Sequence, residues 1–197
     1  FEGVRSHIFV CDLEGQAVTD LTPGDYDTPP VDLGGARDYA VSPDAKELAF
    51  VRNQDPVVAL STNNDILLTA MDAVSPQPCT DANKATDNQP LYSPDGRFLA
   101  YRAMQRPGFE ADRYQLMLFD RTTRHTSSLT SRLDRSVNGV AWAADSRTLF
   151  FTADNQGHSS IYSVATAGGR IDEIVKDHVN SGLMPSPDNR LLYFKRQ

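Results

Sequence analysis

Leu91-Tyr-Ser-Pro-Asp-Gly-Arg-Phe-Leu-Ala-Tyr101 holds the unit from which this chain is built. A short apolar stretch runs into Ser-Pro-Asp-Gly, and a second apolar stretch follows at once. Proline presets φ at the first turn position, the aspartate side chain supplies a turn hydrogen bond, and glycine tolerates φ > 0. The segment therefore predicts a tight hairpin between two buried strands. Three further stretches have the same form: Tyr39-Ala-Val-Ser-Pro-Asp-Ala-Lys-Glu-Leu-Ala-Phe50, Val140-Ala-Trp-Ala-Ala-Asp-Ser-Arg-Thr-Leu-Phe-Phe151 and Met184-Pro-Ser-Pro-Asp-Asn-Arg-Leu-Leu-Tyr-Phe194. Ser42, Ser93, Ala143 and Ser186 mark one position at spacings of 51, 50 and 43 residues, and the third copy keeps only the relic Ala144-Asp145-Ser146.

Working outward, a third apolar run follows each of the first three hairpins, at Asp65–Met71, Gln115–Asp120 and Ser160–Ala165. A matching run, His7–Leu13, precedes the first. Fourth strands are weaker and fall at Ala17–Leu21, Thr126–Thr130 and Ile171–Val175. Four strands recurring every 43–51 residues without a helical period predict the blade of a β-propeller. An irregular β-sandwich would show no recurring hairpin. The expected fold is thus all-β, a propeller segment of four-stranded blades, with about three complete blades and two partial ones. The boundaries expected are a partial blade at 1–35, blades at about 36–88, 89–136 and 137–181, and a partial blade at 182–197. Tyr39, Tyr92, Trp142 and Tyr193 lie beside or within the hairpins, where aromatic side chains fill the core between stacked blades.

The 197 residues are 40% hydrophobic and 23% charged, ordinary globular proportions that exclude a disordered tail or a fibre. Nineteen Lys and Arg against 26 Asp and Glu give a net charge of −7 with no basic cluster, which disfavours a nucleic-acid partner. No apolar run approaches the roughly 20 residues that span a bilayer. Cys11 and Cys79 are too few for a disulfide scaffold or a metal knuckle and are expected as two buried or free thiols, with a single disulfide as the alternative. Phe1-Glu2-Gly3 is no signal peptide and lacks an initiator Met, while the chain stops after an inner hairpin at Gln197. A segment cut from a larger propeller is expected. Its open blade edges invite self-association.

At these hairpins the sequence resembles the "PD" propeller repeat of bacterial periplasmic proteins and of the prolyl oligopeptidase family. Ala85-Thr-Asp-Asn-Gln-Pro-Leu-Tyr-Ser-Pro-Asp-Gly96 and Tyr101-Arg-Ala-Met-Gln-Arg-Pro-Gly-Phe-Glu-Ala-Asp-Arg-Tyr-Gln-Leu-Met-Leu-Phe-Asp120 are similar to the dipeptidyl-peptidase V and acylaminoacyl-peptidase branch of that family. The resemblance implies a serine exopeptidase in which a propeller gates access for short peptide substrates. It also implies an α/β-hydrolase domain in the same parent chain carrying Ser, Asp and His, and a periplasmic or secreted location. No Gly-x-Ser-x-Gly elbow is present; the nearest match, Gly157-His-Ser-Ser-Ile161, reads as a polar loop between strands. No catalytic residue is therefore assigned and the hydrolase domain is expected to be absent from these residues. The rival reading is a non-enzymatic periplasmic platform that binds another protein, since propellers host both functions.

The most informative insertion is Arg106-Pro-Gly-Phe-Glu-Ala-Asp-Arg113, the longest loop between second and third strands. Functional residues concentrate on such loops above a rigid scaffold, and in the resembled enzymes this face is turned towards the active-site cavity. Dipeptidyl-peptidase relatives bind the substrate's amino terminus with propeller carboxylates, most familiarly a Glu-Glu pair. This chain has no Glu-Glu pair. Glu110 is the candidate for a similar contact, with Arg106, Phe109, Asp112 and Arg113 as candidate substrate-binding neighbours. The competing reading pairs Glu110 and Asp112 with Arg106 and Arg113 simply to order the loop. His7, His125, His158 and His178 lie at no metal-ligand spacing, and the Gly34-Gly35 and Gly168-Gly169 pairs lack a phosphate-loop context. No metal or cofactor is expected.

Overall fold

The computed structural model describes residues 3–30 and 38–197. The Gly34-Gly35 pair and the end of the expected first partial blade lie outside them. Every sheet is antiparallel with neighbours in sequence order. Strands β1 (Phe9–Val10) and β2 (Thr19–Asp20) form a two-stranded sheet. Next come three four-stranded sheets. They contain β3 (Tyr39–Val41), β4 (Glu47–Asn53), β5 (Asn64–Ala70) and β6 (Gln77–Pro78); β7 (Asp87–Tyr92), β8 (Phe98–Ala103), β9 (Gln115–Asp120) and β10 (His125–Ser128); and β11 (Val137–Trp142), β12 (Thr148–Asn155), β13 (His158–Ala165) and β14 (Ile171–Val175). A last pair joins β15 (Asn180–Pro185) to β16 (Leu192–Arg196). The result is a partial β-propeller of four-stranded blades. The chain divides into two compact units: 3–30, 38–90 and 104–112 among the described residues form the first, and 91–103 with 113–197 the second.

The recurring hairpins owe their shape to one hydrogen-bond scheme. Ser42, Ser93 and Ser186 donate through Oγ to Oδ1 of Asp44, Asp95 and Asp188 at 2.7, 2.6 and 2.5 Å. The same hydroxyls accept from the backbone N–H of Glu47, Phe98 and Leu191, closing the turn. The fourth turn residue is left-handed in every copy: Ala45 at φ 55°, Gly96 at 73°, Ser146 at 60° and Asn189 at 57°. The Ala-Asp-Ser relic thus makes the same turn without its serine bond. In the second unit the left-handed side chain also reaches the preceding hairpin, Ser146 Oγ accepting from Asp95 N and Asn189 Oδ1 from Ala144 N. Ala45 is exposed and its methyl group makes no such bond. A left-handed Cβ costs about 1–2 kcal/mol, partly offset by the entropy glycine loses on folding. Ala45→Gly is therefore expected to stabilise the fold by about 0.5–1 kcal/mol in urea unfolding; a destabilised variant contradicts the turn assignment.

A second repeated device escaped the sequence reading. Thr22, Thr80 and Thr130 end their blades' outermost strand region, are nearly fully buried, and accept through Oγ1 from the N–H of Ile8, Ile66 and Leu116 at 2.9, 2.9 and 2.8 Å. The preceding residues, Leu21, Cys79 and Leu129, donate their N–H to the carbonyls of the same three residues. Each threonine so continues the ladder by one bond where the fourth strand frays.

Strands β4 and β5 are buried on both faces, and Leu48-Ala49-Phe50-Val51 is accordingly a continuous apolar run rather than an alternating one. Leu21, Leu48, Phe50 and Leu67 pack together in the first unit. In the second, Leu116, Val137, Leu149, Phe151 and Tyr162 belong to one larger cluster. Trp142 and Tyr92 are buried, with Trp142 Nε1 donating to Leu91 O at 3.0 Å. Tyr39 and Tyr193 are 49% and 52% exposed, against the expectation that all four aromatics line the core. Neither joins a buried cluster of the described residues.

Candidate functional site

Loop 104–112 is folded around one carboxylate. Asp112, 8% exposed, accepts through Oδ2 from the N–H groups of Gln105 and Arg106 at 2.8 and 2.9 Å. Its Oδ1 accepts from Nε and Nη2 of Arg106 at 2.9 and 2.8 Å. Pro107-Gly108 makes the turn between them, with Gly108 at φ 72° and Phe109 N donating to Arg106 O. The Arg106 guanidinium lies 4.2 Å from the centre of the Phe109 ring, which remains 43% exposed. Arg106 is thus held by Asp112 on one side and covers an aromatic face on the other.

Glu110 stands apart from this clasp. It is exposed at the outer bend of the loop and makes no hydrogen bond or ion pair with the described residues. The suggested pairing of both acids with both arginines is therefore realised only between Asp112 and Arg106. Arg113, the first residue of its stretch of the second unit, donates instead to the carbonyls of Leu133 and Ser131.

A neighbour overlooked in the sequence completes the site. Residues 54–63 join β4 to β5 and are nearly as long as the 104–114 connection. Asp55 organises them, accepting from Ser61 Oγ at 2.6 Å and Asn63 Nδ2 at 3.1 Å, and these two bonds hold its carboxyl below the usual range. The two loops meet at Thr62, whose Oγ1 accepts from Gly108 N at 2.8 Å and whose carbonyl accepts from Thr86 Oγ1 at 2.7 Å. Val57, Val58 and Leu60 on the first loop are 55%, 51% and 85% exposed. This face of the first unit therefore offers apolar side chains and one uncommitted carboxylate. A cleft of about 290 Å³ opens beside it, lined in part by Arg5, Asp25, Tyr26, Asn53 and Val58. Polar residues flanking a Pro in Asp55-Pro-Val-Val-Ala-Leu60 were the available signal for this loop.

Beneath the loops lie two further acids that sequence reasoning did not single out. Asp87 is fully buried and Asp65 is 5% exposed. Asn83 Nδ2 bridges Asp87 Oδ1 at 2.8 Å and Met104 O at 2.9 Å, so the buried acid is tied to the start of the 104–112 loop. Burial pushes the Asp87 carboxyl up to about 7, against the bonds it accepts from Asn83 and Thr80. Burial likewise raises Asp65 to about 6, opposed by Lys84 and reinforced by Asp81 and Asp55.

The remaining candidates are structural. His7 bonds Asp20 and the Gly24 carbonyl at 2.7 and 3.0 Å, while His125, His158 and His178 are exposed. Gly168 and Gly169 form a turn at φ 77° and 102°. The Gly157-His-Ser-Ser stretch is the β12–β13 hairpin, with Gln156 and Gly157 both at positive φ and Ser160 buried in the strand. Cys11 and Cys79 form no disulfide among the described residues. No helix of the described residues is long and apolar enough to cross a membrane.

No family model matches the chain. It is 26% identical over 176 residues to dipeptidyl-peptidase 5 of Porphyromonas gingivalis, covering 86% of this chain and 26% of that protein. To dipeptidyl-peptidase 5 of Aspergillus fumigatus it is 29% identical over 197 residues, covering 91% and 27%. The chain thus spans about a quarter of the length of these curated relatives. Among solved structures it is similar to TolB from Acinetobacter baumannii, with TM-score 0.64 and 18% identity over 94% of this chain and 42% of that one. The β-propeller domain of the Trilobed protease from Pyrococcus furiosus matches with TM-score 0.55 and 14% identity, over 89% and 48%. At such identities the structures establish the fold: a propeller segment. The sequence relatives make the likeness more particular: over most of its own length the chain is similar to dipeptidyl-peptidase 5 proteins.

Proposed function

We propose that these residues form a substrate-selecting part of a serine dipeptidyl peptidase, in which the loop face of the first unit receives the amino-terminal end of a short peptide. Glu110 would accept the substrate's ammonium group, and Phe109, Leu60 and Val57 would contact its apolar side chains. Nucleophilic attack would come from the Ser-His-Asp set of an α/β-hydrolase domain in the same parent chain. The observation that carries this reading is the exposed, unpaired Glu110 on a rigidly clasped loop, in a chain whose sequence relatives are named dipeptidyl-peptidases. A free carboxylate held beside apolar surface suits an ammonium that must give up part of its hydration.

The test uses the intact protein that carries this chain. Fluorophosphonate should add once to it, and a chromogenic dipeptide with a free amino terminus should be cleaved. A hydrogen bond to a charged group contributes about 1.5–3 kcal/mol, so Glu110→Gln should lower kcat/KM by roughly 10- to 100-fold, mainly through KM. Unchanged kinetics would remove Glu110 from the site. The fold is equally that of TolB, which keeps a non-enzymatic protein-binding platform as the second reading; an intact protein that takes no adduct and cleaves no dipeptide selects it.

A further inference from the structure

Among the described residues of the first unit, three buried oxygen atoms accept no hydrogen bond: Asn63 Oδ1, Asp65 Oδ1 and Asp87 Oδ2. They share one neighbourhood. Asn63 and Asp65 flank the first residue of β5, and Asp87 opens β7. Thr80 joins the two places, since its Oγ1 accepts from Ile66 N and its hydroxyl donates to the Asp87 carboxylate. All three orphans are acceptors. A buried polar atom without a partner is costly, and what this group lacks is a donor. A protonated carboxyl supplies one, because the neutral acid carries an O–H where the anion has only lone pairs.

The charged groups around the pair favour the same outcome. Asp55 and Asp81 add negative charge near Asp65, and the cation that acts on it, Lys84, is exposed. Arg52 is the cross-strand partner of Asp65, yet its guanidinium bonds Thr28 Oγ1 and Thr22 O and lies between the Tyr26 and Phe50 rings. From the loop above, Arg106 is committed to Asp112. The buried pair is also wired to that loop: Asn83 links Asp87 to Met104 O, Met104 N donates to Thr86 O, and Thr86 and Gly108 both bond Thr62.

We propose that Asp65 and Asp87 form a proton-operated latch, in which a proton held by the buried pair keeps loop 104–112 docked on loop 54–63 and its loss to solvent loosens that docking. Acidic conditions order the face that carries Glu110 and Phe109, and alkaline conditions release it. The latch does not depend on what the face binds.

Hydrogen–deuterium exchange on the intact protein tests this without an activity readout. Protection factors, corrected for the intrinsic pH dependence of exchange, are compared at pH 5 and pH 8 for a peptide spanning 104–112, with a β12–β13 peptide as control. Protection of the loop peptide should fall about tenfold or more at pH 8 while the control holds, as for a local opening below the global unfolding free energy. In Asp65→Asn/Asp87→Asn, whose amides supply donors at every pH, loop protection should stay high at both values. Should the double variant not fold, Asp87→Asn alone is expected to show at least a halved pH effect. A flat wild-type profile overturns the proposal, and so does a pH-dependent loss that persists in the variants.

Discussion

Asp87→Asn is expected to make the protein more stable at pH 8, by about 2–4 kcal/mol, and to leave its stability at pH 4 little changed. An unfolded aspartate titrates near 3.8, whereas burial raises folded Asp87 to about 7. Between those values the folded chain binds more protons than the unfolded one. Stability therefore falls as pH rises across that window, and little further is lost above it. Holding a carboxyl about three pH units above its ordinary value costs roughly 4 kcal/mol once it ionises, which sets the upper bound. Asparagine keeps an oxygen for Asn83 Nδ2 and Thr80. Its amide hydrogens bring donors into a region whose buried acceptors stand alone. Urea titrations of wild type and variant at pH 4, 6 and 8 give the three differences. A variant no more stable than wild type at pH 8 would falsify the view that this carboxylate is strained when ionised. Asp65, pushed to about 6, should leave a smaller residual slope in the Asp87→Asn protein.

What could be read in advance follows from where the information lies. A turn that demands Pro, Asp and a left-handed residue writes itself into consecutive letters, so all four hairpins and even the relic at Ala144–Ser146 were legible. Gln115–Asp120 and Ile171–Val175 were found to the residue because each is a separate apolar or alternating run. Strand β6 was not, since Gln77–Pro78 is two residues long and its ladder is extended by a threonine side chain rather than by strand residues. His7–Leu13 contracted to Phe9–Val10 for a related reason: at its start Ile8 N bonds the Thr22 hydroxyl instead of a strand partner. The site was half visible. A Pro-Gly turn among charges announces a loop, and Arg106–Asp112 is a local bond that spacing permits. The meeting with Thr62 and the buried pair beneath link positions 21 to 46 residues apart through single side-chain bonds, and nothing in either local stretch records them. Asp65 and Asp87 look like surface acids in sequence, and only burial makes them unusual.

Asp112→Ala should open the 104–112 loop while leaving the blades folded. This carboxylate accepts from two backbone N–H groups and twice from the Arg106 guanidinium. Its removal strands those donors and frees Arg106 from the position in which it covers Phe109. Each charge-assisted bond contributes about 1.5–3 kcal/mol, but solvent takes over most of the exposed Arg106 contact, so a local loss of about 3 kcal/mol is the reasonable sum. That raises the open population about 100-fold, and chymotryptic cleavage after Phe109 should accelerate by a similar factor when opening is fast relative to cutting. Asp112→Asn, which retains one acceptor oxygen, should fall between. Glu110→Gln, which touches nothing in the clasp, should be cut at the wild-type rate, and this contrast separates the two acids of the loop: one builds the site and the other is offered to a ligand. If Glu110→Gln accelerates cleavage as much as Asp112→Ala does, Glu110 is itself part of the loop's framework and cannot be the free carboxylate that substrate anchoring requires.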